Sequence, residues 1–195
     1  MDGSSEVGPM LLAGDSMTML TSLLILSAAF ALGDANSILE EDLCPSGWTK
    51  YGSRCLMFVK TTRSWPEAER NCVSLGDKLV SVPNVVKYLG ANLSSVHSSE
   101  EDEFLQALVL VKTVGFPPTW IGGFYSVKDR RWFWSDGSDF DHQNWAKGRP
   151  GNVGAGETCI HINFGGQKRW NNALCGRSLP SVCSLRLLPL RQTIH

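Results

Sequence analysis

Trp120-Ile121-Gly122-Gly123 and, a short step downstream, Trp132-Phe133-Trp134-Ser135-Asp136-Gly137-Ser138 decide the reading of this chain. Both are short aromatic and β-branched runs, and the second ends in the turn signal Ser135-Asp136-Gly137. Ile160-His161-Ile162 and Val182-Cys183 continue the same texture, separated by turn signals such as Gly165-Gly166. Upstream the period changes. Ser64-Trp65-Pro66-Glu67 reads as a helix start, with a Ser cap, Pro in the first turn and Glu placed to reach back. Trp65, Ala68, Cys72 and Leu75 then recur at helical spacing, with Gly76 as the expected stop. Ser98-Ser99-Glu100-Glu101 opens a second helix whose buried stripe is Phe104, Leu105 and Leu108. Two helices followed by short strands give an α+β class.

The 195 residues suit one domain with sequence to spare, and an apolar content of 43% supports a packed core. A net charge of −1 and the lack of any basic run exclude a dedicated nucleic-acid binder. None of the six cysteines sits in a Cys-x-x-Cys pair, which favours disulfides over zinc. Spacing alone does not choose among the possible pairings.

Leu20 to Leu32 is an apolar run of 13 residues, the length of a signal-peptide core and short for a membrane span. Ala29-Phe30-Ala31 and Gly33-Asp34-Ala35 are candidate cleavage sites. No Lys or Arg precedes the run, which departs from the usual pattern and also weakens an uncleaved anchor. The expectation is an exported protein whose translation starts at Met17 or Met19. Residues 1–35 are assigned to an N-terminal extension and signal peptide, 36–43 to a polar leader, 44–184 to the folded domain and 185–195 to a loosely held tail.

Leu75-Gly76-Asp77-Lys78-Leu79-Val80-Ser81-Val82 recurs as Leu89-Gly90-Ala91-Asn92-Leu93-Ser94-Ser95-Val96. Two copies cannot occupy one strand position. The second runs straight into the Ser98 cap, so Leu93 to Val96 is expected to form the strand. Asp77 to Lys87, which contains Pro83-Asn84, is expected to bulge out as a surface loop, because a longer loop costs little. Asn92-Leu93-Ser94 is an N-glycosylation sequon within that repeat.

Taken in order, Cys44-Pro45-Ser46-Gly47-Trp48, Cys55, Cys72, Trp120–Gly123, Trp132–Ser138, Asn144-Trp145, Cys159, Trp170-Asn171-Asn172, Cys175 and Cys183 resemble the long-form C-type lectin-like domain. The set runs through nearly all of residues 44–184. Within that family the chain looks most similar to secreted fish lectins and type II antifreeze proteins. The resemblance implies two helices, short antiparallel sheets and a long binding loop. It also implies the pairs Cys44–Cys55, Cys72–Cys183 and Cys159–Cys175. Trp48, Trp65, Trp120 and Trp134 read as mainly core residues.

Sugar-binding members of the family hold Ca²⁺ with a Glu-Pro-Asn or Gln-Pro-Asp triplet, a downstream Glu and a Trp-Asn-Asp. Calcium needs several oxygen donors, some of them anionic. Here the triplet position reads Arg149-Pro150-Gly151; Glu157 and Asn171 match the family, and Asn172 replaces Asp. The resemblance therefore implies a degenerate calcium site, and no metal or other cofactor is expected. Between Trp145 and Cys175 the charges are Lys147, Arg149, Lys168, Arg169 and the single acid Glu157, a local surplus of three positive charges. Such a loop favours anionic partners, such as sulfated or sialylated glycans or another anionic surface. Lys147, Arg149, Glu157, Lys168, Asn171 and Asn172 are the ligand-binding candidates, with an Arg149–Glu157 ion pair expected in place of the ion.

No Gly-x-Ser-x-Gly, His-Glu-x-x-His or phosphate-loop pattern is present, so no enzyme is expected. The leading function is a secreted, calcium-independent lectin-like binding protein with no membrane span. Ice binding on the same scaffold is the first alternative, but Thr158 is the only Thr or Ser between Trp145 and Cys175. A protein-binding or toxin-like module is the second.

Overall fold

A computed structural model describes residues 44–80, 88–153, 156 and 158–188. The apolar run 20–32, the leader and the end of the chain lie outside the described residues. β1 (Thr49–Tyr51) turns through Gly52, at a left-handed φ of 54°, into β2 (Arg54–Arg63). There follow α1 (Trp65–Val80), β3 (Tyr88–Leu93), α2 (Ser99–Thr113), β4 (Thr119–Ser126) and β5 (Arg131–Trp134). β6 (Thr158–Phe164), β7 (Arg169–Leu174) and β8 (Leu179–Leu187) close the domain. The strands form one mixed sheet in the order β1-β2-β8-β4-β6-β7, with β3 added on β8 and β5 on β4. The architecture is the expected α+β C-type lectin-like fold.

Both helix starts follow from local chemistry. At α1, Glu67 reaches back and accepts from the Ser64 hydroxyl at 2.6 Å and the Ser64 N–H at 3.1 Å. At α2, the Ser98 side chain accepts from Glu101 N–H at 3.2 Å, while Glu101 accepts from His97 N–H at 2.6 Å. Its stripe points inward, with Leu105, Leu108 and Val109 buried. α2 stops at Val114, whose left-handed backbone returns its N–H to the Leu110 carbonyl at 2.7 Å.

Gly76 does not end α1, and Asp77 to Val80 are helical rather than looped. The reason is packing. A Cβ on Gly76 would lie 2.4 Å from the Ala91 nitrogen, so glycine lets the helix lie flat against β3. The remainder of the expected loop, 81–87, lies outside the described residues. The second copy of the repeat does supply the strand, but β3 spans Tyr88–Leu93 rather than Leu93 to Val96. Leu93 and Val96 are both fully buried, and Ser94 N–H still reaches the Val182 carbonyl at 2.9 Å. The end of the domain also differs from the sequence reading: β8 continues through Leu187, and Leu185 is fully buried between Cys55 and Ala91.

The three disulfides are Cys44–Cys55, Cys72–Cys183 and Cys159–Cys175, as the resemblance implied. Cys72–Cys183 ties α1 to β8 across 111 residues. Trp120, Trp134 and Trp170 are buried in the core, and Trp48 and Trp65 are partly buried against it.

Candidate functional site

β7 presents the family's key asparagines from a buried strand. Trp170 anchors it: its indole N–H donates to Asp102 at 2.6 Å, a carboxylate from α2. Burial pushes the Asp102 carboxyl above its ordinary value, against hydrogen bonds from Trp170, Asn144 and His142. The long loop leaves the core at Trp170, which donates its N–H to Asn144 C=O at 2.8 Å and accepts from Ala146 N–H at 2.9 Å. A tight turn follows, Arg149 N–H to Ala146 C=O at 2.9 Å, with Gly148 at φ 75° and a cis Arg149–Pro150 bond.

That turn brings Gly151 onto Asn172. The Asn172 Oδ1 accepts from Gly151 N–H at 2.8 Å, and its Nδ2 donates to Gly151 C=O at 2.7 Å. Asn171, one residue earlier, is likewise buried; its Nδ2 lies 3.1 Å from His161 Nε2, and its Oδ1 has no hydrogen-bond partner among the described residues. Burial holds the His161 ring below its usual pKa, and the nearby Arg177 and Arg149 charges push the same way, against the Ile162 carbonyl. A neutral imidazole can accept the Asn171 amide proton.

Arg149 lays its guanidinium over the Phe164 ring, 5.1 Å from the centroid. Lys168, at the turn between β6 and β7, does the same over Phe116 at 4.8 Å. Such stacking is worth on the order of 0.5–1 kcal/mol at exposed sites and holds each cation in place. Arg149 and Lys147 are solvent-exposed. Arg149, Asn171 and Asn172 thus converge around Gly151 and β7, while Lys168 sits at the far end of the β6–β7 hairpin. Glu157, and with it the expected Arg149–Glu157 pair, lies outside the described residues.

The described side chains do not fit calcium. Asn172 has both polar atoms committed to the Gly151 peptide, Arg149 contributes a cation, and Gly151 has no side chain. Among the described residues no group of three or more His, Cys, Asp or Glu could hold a metal ion. Sequence reasoning missed Phe164, Phe116 and His161. Their pairing with Arg149, Lys168 and Asn171 is tertiary and leaves no periodic trace in the chain.

Residues 61–185 match the family model described as the lectin C-type domain. The chain belongs to the C-type lectin domain family. It is 48% identical over 190 residues to ladderlectin of Oncorhynchus mykiss, the match covering 85% of this chain and 92% of the relative. It is 35% identical to the galactose-specific lectin nattectin of Thalassophryne nattereri, over 88% of this chain and 99% of that one. Among solved structures, the herring type II antifreeze protein superposes with a TM-score of 0.62 at 30% identity, covering 74% of this chain and all of the other. As a member of this family the chain is a binding protein and not an enzyme. Its disulfides accord with an oxidising, extracellular setting. No helix among the described residues is long and apolar enough to cross a membrane.

Proposed function

We propose that this chain is a secreted lectin that binds glycans without calcium, through a face on which the exposed Lys147 and Arg149 flank the Gly151 turn held from beneath by Asn172 beside Asn171, with Lys168 as a more distant contact. The observation that carries the reading is the clamp of Asn172 on Gly151. It commits to protein hydrogen bonds both polar atoms of a residue at which the family pattern has a calcium ligand. With Arg149 held over Phe164 beside it, the face is cationic and suits sulfated or sialylated glycans. Glu157 is a further candidate on the same loop. The galactose specificity named for nattectin supports a saccharide ligand. Ice binding is less well supported, because Thr158, the only Thr or Ser of the loop, is 4% exposed. A glycan array read with calcium and again with EDTA tests the proposal. Anionic glycans should be retained in EDTA and released by salt; binding that vanishes in EDTA would overturn the calcium-independent reading.

A further inference from the structure

A groove of about 780 Å³ opens on another side of the long loop, between the β4–β5 hairpin and residues 137–143. Its wall is aromatic. Trp132 meets Tyr125 at 5.3 Å between ring centroids and stacks with Phe140 at 6.4 Å. All three rings are only partly buried. Trp132 is braced from behind by Trp145 at 4.9 Å, and Trp145 donates its indole N–H to Gln143 Oε1 at 2.9 Å. That bond fixes the Gln143 carboxamide at the groove edge and leaves its NH₂ pointing away from the accepted proton.

The rim is polar and balanced. Arg131, exposed and among the groove's lining residues, is stacked over Phe133 at 4.5 Å, which restrains its guanidinium. Arg130, Asp139 and Asp141 also line the groove, Asp141 bonded to His97 at 2.7 Å. The lining carries two cations, Arg130 and Arg131, and two anions, Asp139 and Asp141, so its charge is balanced. It offers the partly exposed faces and edges of three aromatic rings, with charged and carboxamide side chains in the same lining.

That combination matches one ligand chemistry. A pyranose ring has an apolar C–H face that lies on an aromatic ring, and an edge of hydroxyls that pair with carboxylate, carboxamide and guanidinium groups. The geometry points to a second saccharide site in this groove, taking a neutral pyranoside unit without a metal ion. This rests on reading the chain as a glycan binder, but it uses none of the residues of the Asn172 face. Gln143 and the Ala146–Arg149 turn belong to one continuous loop, so a single branched glycan could place a neutral unit here and its anionic unit beyond the turn.

The experiment is a heteronuclear NMR titration of the ¹⁵N-labelled full chain with lactose in EDTA. The Trp132 indole and the backbone amides of Tyr125, Arg131 and Gln143 should shift progressively and saturate. Arg131→Ala and Asp139→Ala, both at exposed positions, should each weaken lactose binding roughly ten-fold, the loss expected for one hydrogen bond to a charged group, while the rest of the spectrum stays native. Lactose shifts confined to residues 147–152 and 168–172 would overturn the groove and leave the glycan-binding proposal standing. So would the absence of lactose shifts when a sulfated oligosaccharide still moves those residues. If every saccharide on the array fails, the underlying reading falls with it.

Discussion

Asn172 holds the Gly151 peptide by two hydrogen bonds at once, 2.8 Å to its N–H and 2.7 Å to its carbonyl. A carboxylate at residue 172 could accept from the N–H but would repel the carbonyl oxygen, so the two hydrogen bonds together call for an amide. The amide at residue 172 therefore serves as a loop clamp in this chain.

Three outcomes follow for this clamp. Calorimetric titration should show no micromolar calcium binding, and the triple variant R149E/G151N/N172D should gain calcium affinity, since it restores anionic and carbonyl donors. Asn172→Ala should lower stability by about 1–2 kcal/mol in chemical denaturation, the sum of two modest hydrogen bonds. Micromolar binding by the natural chain, or an unchanged denaturation midpoint in Asn172→Ala, would contradict the account.

Gly76→Ala is a second test, and its sign is informative. In an exposed helix the change would stabilise by roughly 0.5–1 kcal/mol. Here the new methyl meets the Ala91 nitrogen at 2.4 Å and the Ala91 Cβ at 2.9 Å, backbone and a short side chain that cannot swing aside. The expected result is a loss of about 1–3 kcal/mol, as for an overpacked core. A melting temperature at or above that of the natural chain would show that α1 and β3 can part without cost.

Gly76 also shows where the sequence stops being legible. A glycine after a helical stripe signals a cap or a close approach, and only Ala91, packed against it from the following strand, decides between them. The starts of α1 and α2 were readable because Ser64 with Glu67, and Ser98 with Glu101, are closed by side chains within one turn. The disulfides were readable through family resemblance rather than spacing. β2 escaped notice because its apolar residues, Leu56 to Val59, give way to Lys60-Thr61-Thr62. It is held as a strand by pairing with β8, far along the chain. At the candidate site, the positions of Arg149 and Asn172 were legible from the motif, but the Phe164 ring and the Gly151 peptide that hold them were not.

The sequon at Asn92 should be unoccupied in the folded protein. Its Nδ2, the nitrogen that would carry the sugar, donates to Glu69 Oε1 at 2.6 Å, and the adjoining Leu93 N–H donates to Glu69 Oε2 at 2.8 Å. Ser94, the sequon hydroxyl, is fully buried. A glycan here would disrupt the hydrogen bonds by which the Glu69 carboxylate joins α1 to β3 and, through Ser135 at 3.0 Å, to the turn after β5. Mass spectrometry of protein secreted by a glycosylating host should find Asn92 unmodified; a stable, fully glycosylated population would refute this.

Asp136 should dominate the acid limb of stability. Burial alone would raise its carboxyl, but bonds from Ser138, Arg186 and Ser95 pull it down to about 2. They include an ion pair with Arg186 at 2.9 Å and the Ser95 hydroxyl at 2.8 Å, and the Asp136 side chain is 7% exposed. Because the folded value lies below the unfolded one, the ionised carboxylate stabilises the fold at neutral pH. That contribution is lost as pH falls from about 4 toward 2. Its size is on the order of 1–2 kcal/mol. Asp102 opposes it: a carboxyl raised by burial favours the fold in its protonated form, so its contribution falls as pH rises. Asp136→Asn keeps the shape and removes the titration. Its denaturation midpoint should be lower than that of the natural chain at pH 7, with the difference shrinking toward pH 2. A variant that tracks the natural chain at a constant offset across this range would show that the acid sensitivity comes from other carboxylates.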